Sequence, residues 1–322
     1  MLSSLGLCAA LACGLALAGP QKTCADYDIS ITVTSENLIL GGLPEFEDNY
    51  DVADFLSNLG SRTAAVDFQP VSGIENQTTS YTISATVCSP VDPKAKHRQT
   101  VLMATHGLNF DRKYWDPAIQ PDKYSFVDFA IERGYSIFFY DRLGVGKSSK
   151  VSGYVSQLPN QVAIATKLAQ LIKAGKNSPA IGKPKSLVLV GHSYGSLISA
   201  ATVTAQPDIC EGLVLTGFSY NGTNIPVFLQ AAEPRIASTQ SKKWSSLDSG
   251  YLTPVDIFAN VNTFFKKPDY DLDVVKYADN HKAPFAVAEF LSAEALDVVP
   301  TQFQGKAMVI AGQYDYIFCT GQ

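Results

Sequence analysis

The chain has 322 residues, 46% of them hydrophobic, and carries a net charge of −5. That supplies one sizeable core, with or without an insertion. With a sequence pI near 5.4 and no lysine or arginine run, nucleic acid is excluded as an electrostatic partner.

The chain opens with an apolar stretch, Leu5 to Ala18, that carries no charge. It is too short to span a bilayer and has the length of a signal-peptide core, with Ala16-Leu17-Ala18 as the small-x-small cleavage pattern. Residues 1–18 are therefore expected to be a signal peptide, the protein secreted, and the mature chain without a transmembrane segment. Removing them leaves Cys24, Cys88, Cys210 and Cys319. An even number suits an oxidising compartment. The sequons Asn76-Gln77-Thr78 and Asn221-Gly222-Thr223 agree with export.

Next come "YDISITVTS" and "TTSYTISATVCSP", which alternate apolar and polar residues and read as antiparallel strands. Short apolar runs follow at Val101–Thr105, Ser136–Tyr140, Leu187–Val190, Leu213–Thr216 and Ala307–Ala311; they read as buried parallel strands. Helical patterns lie between them. "YSFVDFAIERGY" ends at Gly134, and "PNQVAIATKLAQLIKAGK" puts Val162, Ala165, Leu168, Ala169 and Ile172 on one face before Gly175 stops it. Alternating strand and helix predicts a mostly parallel sheet with helices on both faces. From Phe218 to about Pro300 the rhythm breaks into short, aromatic-rich, Pro-punctuated segments, read as an insertion over the strand ends.

Three motifs are candidates for chemistry. Gly191-His192-Ser193-Tyr194-Gly195 fits G-x-S-x-G with a strand before it and a helix after it, which makes Ser193 a candidate nucleophile. A Cβ at either flanking glycine is expected to clash with the neighbouring strand or helix. His106-Gly107 follows a strand, so the backbone N–H groups of Leu108 and Tyr194 are the candidate oxyanion donors. His106 itself is expected to hold its loop by hydrogen bonds rather than act as a base. In "YDRLGVGKSSK", Gly144-x-Gly146-x-x-Ser149 lacks the last glycine of a dinucleotide fingerprint. Gly146-Lys147-Ser148 lacks the glycine that a phosphate-binding loop needs at position 141, where Asp141 stands. A tight structural turn is the better reading.

"THGLNFD", "YDRLGVGKSS", "LVGHSYGS" and "VIAGQYDYIF", in this order and spacing, resemble the α/β-hydrolase superfamily, and within it a secreted serine hydrolase of fungal type. The resemblance implies a core of residues 19–217 and 301–322 and a helical lid of residues 218–300. It implies acyl transfer on a carboxylic ester, with an apolar acyl or alcohol group suggested by the aromatic lid, and no metal or organic cofactor. It places the imidazole-orienting carboxylate at Asp315 and a catalytic histidine after an eighth strand. The four histidines, His97, His106, His192 and His281, all precede Asp315. The eighth strand, the last helix and the histidine are accordingly expected to be missing. Three explanations order themselves: a fragment of a complete hydrolase, a secreted binding protein of the same fold without catalysis, and recruitment of His281 from the lid. In the inferred topology, Cys24–Cys88 and Cys210–Cys319 are the expected disulfides.

Overall fold

The computed structural model describes residues 21–176, 181–222 and 224–319. The proposed signal peptide lies outside the described residues. The first strands, β1 (Lys22–Ile39) and β2 (Gly73–Pro90), flank α1 (Asn49–Leu59) and α2 (Ala64–Asp67). Then come β3 (Thr100–Thr105), α3 (Pro121–Tyr124), α4 (Phe126–Glu132), β4 (Ser136–Tyr140), α5 (Leu158–Lys173), β5 (Ser186–His192), α6 (Tyr194–Ala205) and β6 (Gly212–Thr216). These strands join β10 (Lys306–Ile310) in one sheet of order β1-β2-β4-β3-β5-β6-β10. β1, β2 and β4 pair antiparallel in turn; every pair from β4 to β10 is parallel.

Strand periodicity explains the two-sided core. In β4, Phe138 and Tyr140 pack into the cluster under α5 and α6, while Ile137 and Phe139 face Val127 and Ile131 of α4. All five residues of β4 are buried, as a central strand covered on both faces requires. β1 is covered on one face, so Ile29, Ile31 and Val33 point inward and Asp28, Ser30, Thr32 and Thr34 point out. The α5 face read from the sequence, Val162 to Ile172, is buried throughout.

The region from Phe218 to Pro300 contains α7 (Ile225–Ala232), β7 (Arg235–Ile236), α8 (Ala237–Gln240), β8 (Tyr251–Thr253), α9 (Ile257–Phe264), α10 (Leu272–Asn280), β9 (Phe285–Ala286) and α11 (Val287–Leu291). β7, β8 and β9 form a separate antiparallel sheet. The sequence reading has only short helices here; strands of two or three residues are too short to show alternation.

Cys24 and Cys88 sit directly opposite in the β1–β2 register and are joined. The second expected pairing is not formed. Cys210 precedes the start of β6 and Cys319 follows the end of β10, which runs parallel to it. A five-residue strand separates those levels by roughly 15 Å, too far for a disulfide. Asn76 of the first sequon is exposed on β2; the second includes Thr223, outside the described residues. Among the described residues no helix is long and apolar enough to cross a membrane.

Candidate active site

The link between β5 and α6 is Ser193 alone. Its backbone is at φ 52°, ψ −119°, a region that L-residues rarely adopt. Tertiary contacts hold it there. Its N–H donates to Thr216 O at 2.8 Å, and its carbonyl accepts from the N–H groups of Ser196 (2.8 Å) and Leu197 (3.2 Å). The flanking glycines are steric necessities, as the sequence suggested. A Cβ on Gly191 would fall 2.4 Å from Ser196 Cα, and one on Gly195 would fall 2.0 Å from Thr105 O. The Ser193 side chain lines a cavity of about 1550 Å³, and its hydroxyl has no hydrogen-bond partner among the described residues.

The loop after β3 lies against this turn. A Cβ on Gly107 would come within 3.0 Å of Ser193 Cβ. The N–H groups of Leu108, in this loop, and of Tyr194, the first residue of α6, donate to no acceptor among the described residues. His106 is fully buried. Its Nε2 accepts the N–H of Arg142 at 3.1 Å, so the ring proton sits on Nδ1, which donates to Gly107 O at 2.8 Å. Burial, and secondarily the Arg142 charge, hold its pKa well below the usual histidine range. It is a neutral strut, in keeping with the sequence reading.

Asp315 follows β10 and lines the same cavity as Ser193. Its Oδ1 accepts the N–H groups of Ile317 (3.0 Å) and Phe318 (2.9 Å), which fixes the carboxylate in its turn. Two imidazoles also line the cavity, His192 and His281. His281, on the rim, donates from Nδ1 to Tyr277 O at 2.8 Å and stacks on that ring. His192 sits beside Thr216 and stacks on Tyr114, and burial drives its pKa down to about 4. The remaining one, His97, stacks on Tyr135 away from the cavity. Among the described residues, no imidazole hydrogen-bonds Ser193 or Asp315. The cavity wall is aromatic, with Phe110 against both Tyr114 and Phe264.

The glycine-rich turn after β4 is structural. Gly144 and Gly146 have positive φ, and a Cβ on Gly146 would strike the Asp141 carboxylate, which accepts the N–H groups of Arg112 (3.0 Å) and Lys147 (2.8 Å). The residue that the motif reading passed over is Arg142. It is 0% exposed and ion-paired with Glu289 of α11, itself 1% exposed; burial raises the Glu289 carboxyl pKa against the pull of the guanidinium. A signal was present: each charge stands in a largely apolar run, "FFYDRLG" and "PFAVAEFL", and such charges are buried only when paired.

A strained serine between a parallel strand and a helix defines the α/β-hydrolase class, and comparison of sequences agrees. The sequence model of the Alpha/beta hydrolase family matches residues 101–321, more than half of the chain, and the protein belongs to that family. No curated protein matches the sequence. Similar solved structures include the α/β hydrolase GrgF from Penicillium sp. sh18, at 15% identity over 72% of this chain and 75% of that one (TM-score 0.45). The esterase EaEST from Exiguobacterium antarcticum has 14% identity over 74% and 80% (TM-score 0.48). A hydrolase from Pseudomonas aeruginosa PA01 has 15% identity over 72% and 77% (TM-score 0.47).

Proposed function

We propose that this hydrolase cleaves a carboxylic ester or related acyl substrate through Ser193, with the amides of Leu108 and Tyr194 as its oxyanion hole. The observation that carries this reading is the Ser193 turn. A strained backbone aims an unpartnered hydroxyl into a cavity beside two unpartnered amides. The hydroxyl oxygen attacks the carbonyl carbon, the carbonyl oxygen becomes an oxyanion facing the two N–H donors, and the hydroxyl proton passes to an imidazole, a base that none of the four histidines of this chain supplies by a hydrogen bond to Ser193. Collapse expels the alcohol, and water repeats the sequence on the acyl-enzyme. Asp315 is the carboxylate that would orient that base, and among the described residues no imidazole hydrogen-bonds it. Residues 218–300 act as a lid whose Phe264 forms part of an aromatic wall suited to an apolar acyl or alcohol group. The Cys24–Cys88 disulfide supports export to an oxidising compartment, with residues 1–18 as the signal peptide.

A second reading is a secreted binding protein of the same fold without catalysis. It is favoured by the fact that neither His192 nor His281 contacts Ser193 or Asp315. Fluorophosphonate labelling separates the two, because only an activated serine attacks phosphorus at a useful rate. The hydrolase reading expects one label, lost in Ser193→Ala, and slow in this chain because no imidazole hydrogen-bonds Ser193 among the described residues. A protein that takes no label yet binds an apolar ester in the cavity is the binding protein.

A further inference from the structure

We propose that Arg142 is a positioning residue for the oxyanion hole, and that Glu289 in the 218–300 segment keeps it in place. The proposal rests on the hydrolase reading only for its kinetic consequence; its structural half stands alone. The geometry starts at the Gly107–Leu108 peptide. In a trans peptide the carbonyl and the N–H point in opposite directions. The Gly107 carbonyl is held from one side by two buried donors, His106 Nδ1 at 2.8 Å and Arg142 Nη2 at 3.2 Å. The Leu108 N–H is thereby turned the other way, and it donates to no acceptor among the described residues. A Cβ on Gly107 would reach to 3.0 Å from Ser193 Cβ, so this peptide abuts the nucleophile.

Arg142 acts on every part of that arrangement. Its backbone N–H fixes the His106 tautomer through Nε2. Its guanidinium holds the Gly107 carbonyl and lies 5.0 Å from the centroid of the Tyr194 ring, on the residue that carries the second donor. Glu289 pairs with the guanidinium and is fixed in turn by Gln161 Nε2 and by the Ala286 N–H at 3.1 Å. The far side of the same loop is tied to the same segment. Asn109, at φ 67°, accepts the Ala283 N–H at 2.9 Å and donates to Asn260 Oδ1 at 3.3 Å. A buried ion pair is a costly way to stabilise a fold, and an apolar pair of similar volume generally serves as well or better. What an apolar pair does not supply is a donor aimed at Gly107 O.

The test is a double variant, Arg142→Met/Glu289→Gln, which leaves no lone buried charge. Three measurements follow: the rate of Ser193 labelling by a fluorophosphonate, the affinity for 2-decanol as an unreactive occupant of the cavity, and the crystal structure. The expected result is a label rate about 100-fold lower, the loss typical of one oxyanion donor, with 2-decanol affinity unchanged and the Gly107–Leu108 peptide reoriented. An unchanged label rate, or an unmoved peptide in the variant crystal, overturns the proposal. If the wild-type protein takes no measurable label, the crystal structure alone decides the positioning role. If the double variant does not fold, Arg142→Lys and Glu289→Gln replace it. A lysine has one nitrogen and cannot serve both Glu289 and Gly107 O, whereas the side-chain amide introduced by Glu289→Gln still offers Arg142 an acceptor. Positioning expects Arg142→Lys to slow labelling at least tenfold more than Glu289→Gln. A purely structural ion pair expects the opposite order, and that order overturns the proposal.

Discussion

The hydroxyl of Thr216 fixes the protonation of His192. It donates its single proton to Gly191 O at 2.9 Å, so at 3.1 Å from His192 Nδ1 it accepts, and the imidazole carries its proton on Nδ1. The neutral ring is what this pocket holds, with Tyr114 stacked on it and Gly217 closing one edge.

That preference makes stability depend on pH. The folded pKa of about 4 lies below the ordinary 6.5, so as pH falls the unfolded chain takes up the proton first. Stability present above pH 6.5 is lost between 6.5 and about 4, by about 2–3 kcal/mol from this residue. His106, also held low, adds a loss of the same sign. Urea denaturation of wild type and His192→Asn, measured from pH 4 to 8, checks it. The asparagine keeps a donor for Thr216 without titrating, so its stability curve should be flatter by one proton across that window. Parallel curves refute the assignment.

The strain at Ser193 predicts opposed effects on stability and function. Glycine adopts φ 52° without a steric penalty, although it loses more entropy on folding. Ser193→Gly is expected to raise stability by about 1 kcal/mol and to abolish fluorophosphonate labelling. Chemical denaturation of the two proteins side by side reads the first half, and a lower midpoint for Ser193→Gly counts against a strained turn.

Gly195 is the most crowded position of the elbow. In Gly195→Ala the new methyl would meet Thr105 O and His106 O, both backbone atoms that cannot swing aside. A cost of about 3 kcal/mol or more is expected, with displacement of the loop that carries Leu108. Thermal unfolding measures the cost. A variant that melts within a degree or two of wild type contradicts the contact.

The Cys24–Cys88 bridge closes 64 residues of chain that include α1 and α2. Loop-closure entropy puts its contribution at about 4 kcal/mol, before any native-state strain is subtracted. Cys24→Ser/Cys88→Ser is expected to lose most of that, and the wild-type protein in reducing buffer should behave like the variant. Identical melting curves with and without reductant would show that the bridge is not formed.

Much of the fold was legible because its signals are local. The parallel strands from β3 to β10 are short, nearly continuous apolar runs, and α5 shows its face at a helical period. The Ser193 turn was legible because both glycines stand in a five-residue motif between a strand and a helix. The small β7–β8–β9 sheet was not, since its strands are two or three residues long and pair across long separations. The Arg142–Glu289 pair was not assigned either. Each residue announces itself as a buried charge, but only the three-dimensional path brings α11 to the turn after β4. The Cys210–Cys319 pairing fails for a related reason: neighbouring strands do not make neighbouring ends, and parallel strands put these two sulfurs at opposite ends of the sheet.

The position of Glu289 limits how freely the 218–300 segment can be exchanged. A segment that joins the core at two points is an attractive module for recombination between related proteins. Here the segment also supplies the only counter-charge described for a guanidinium in the core. A chimaera that brings a foreign segment without an acid at the Glu289 position strands Arg142 in an apolar interior, at a cost of several kcal/mol. Successful grafts should therefore either import an acid there or replace Arg142 in the recipient, and co-inheritance of the two residues becomes a design rule for shuffling this scaffold.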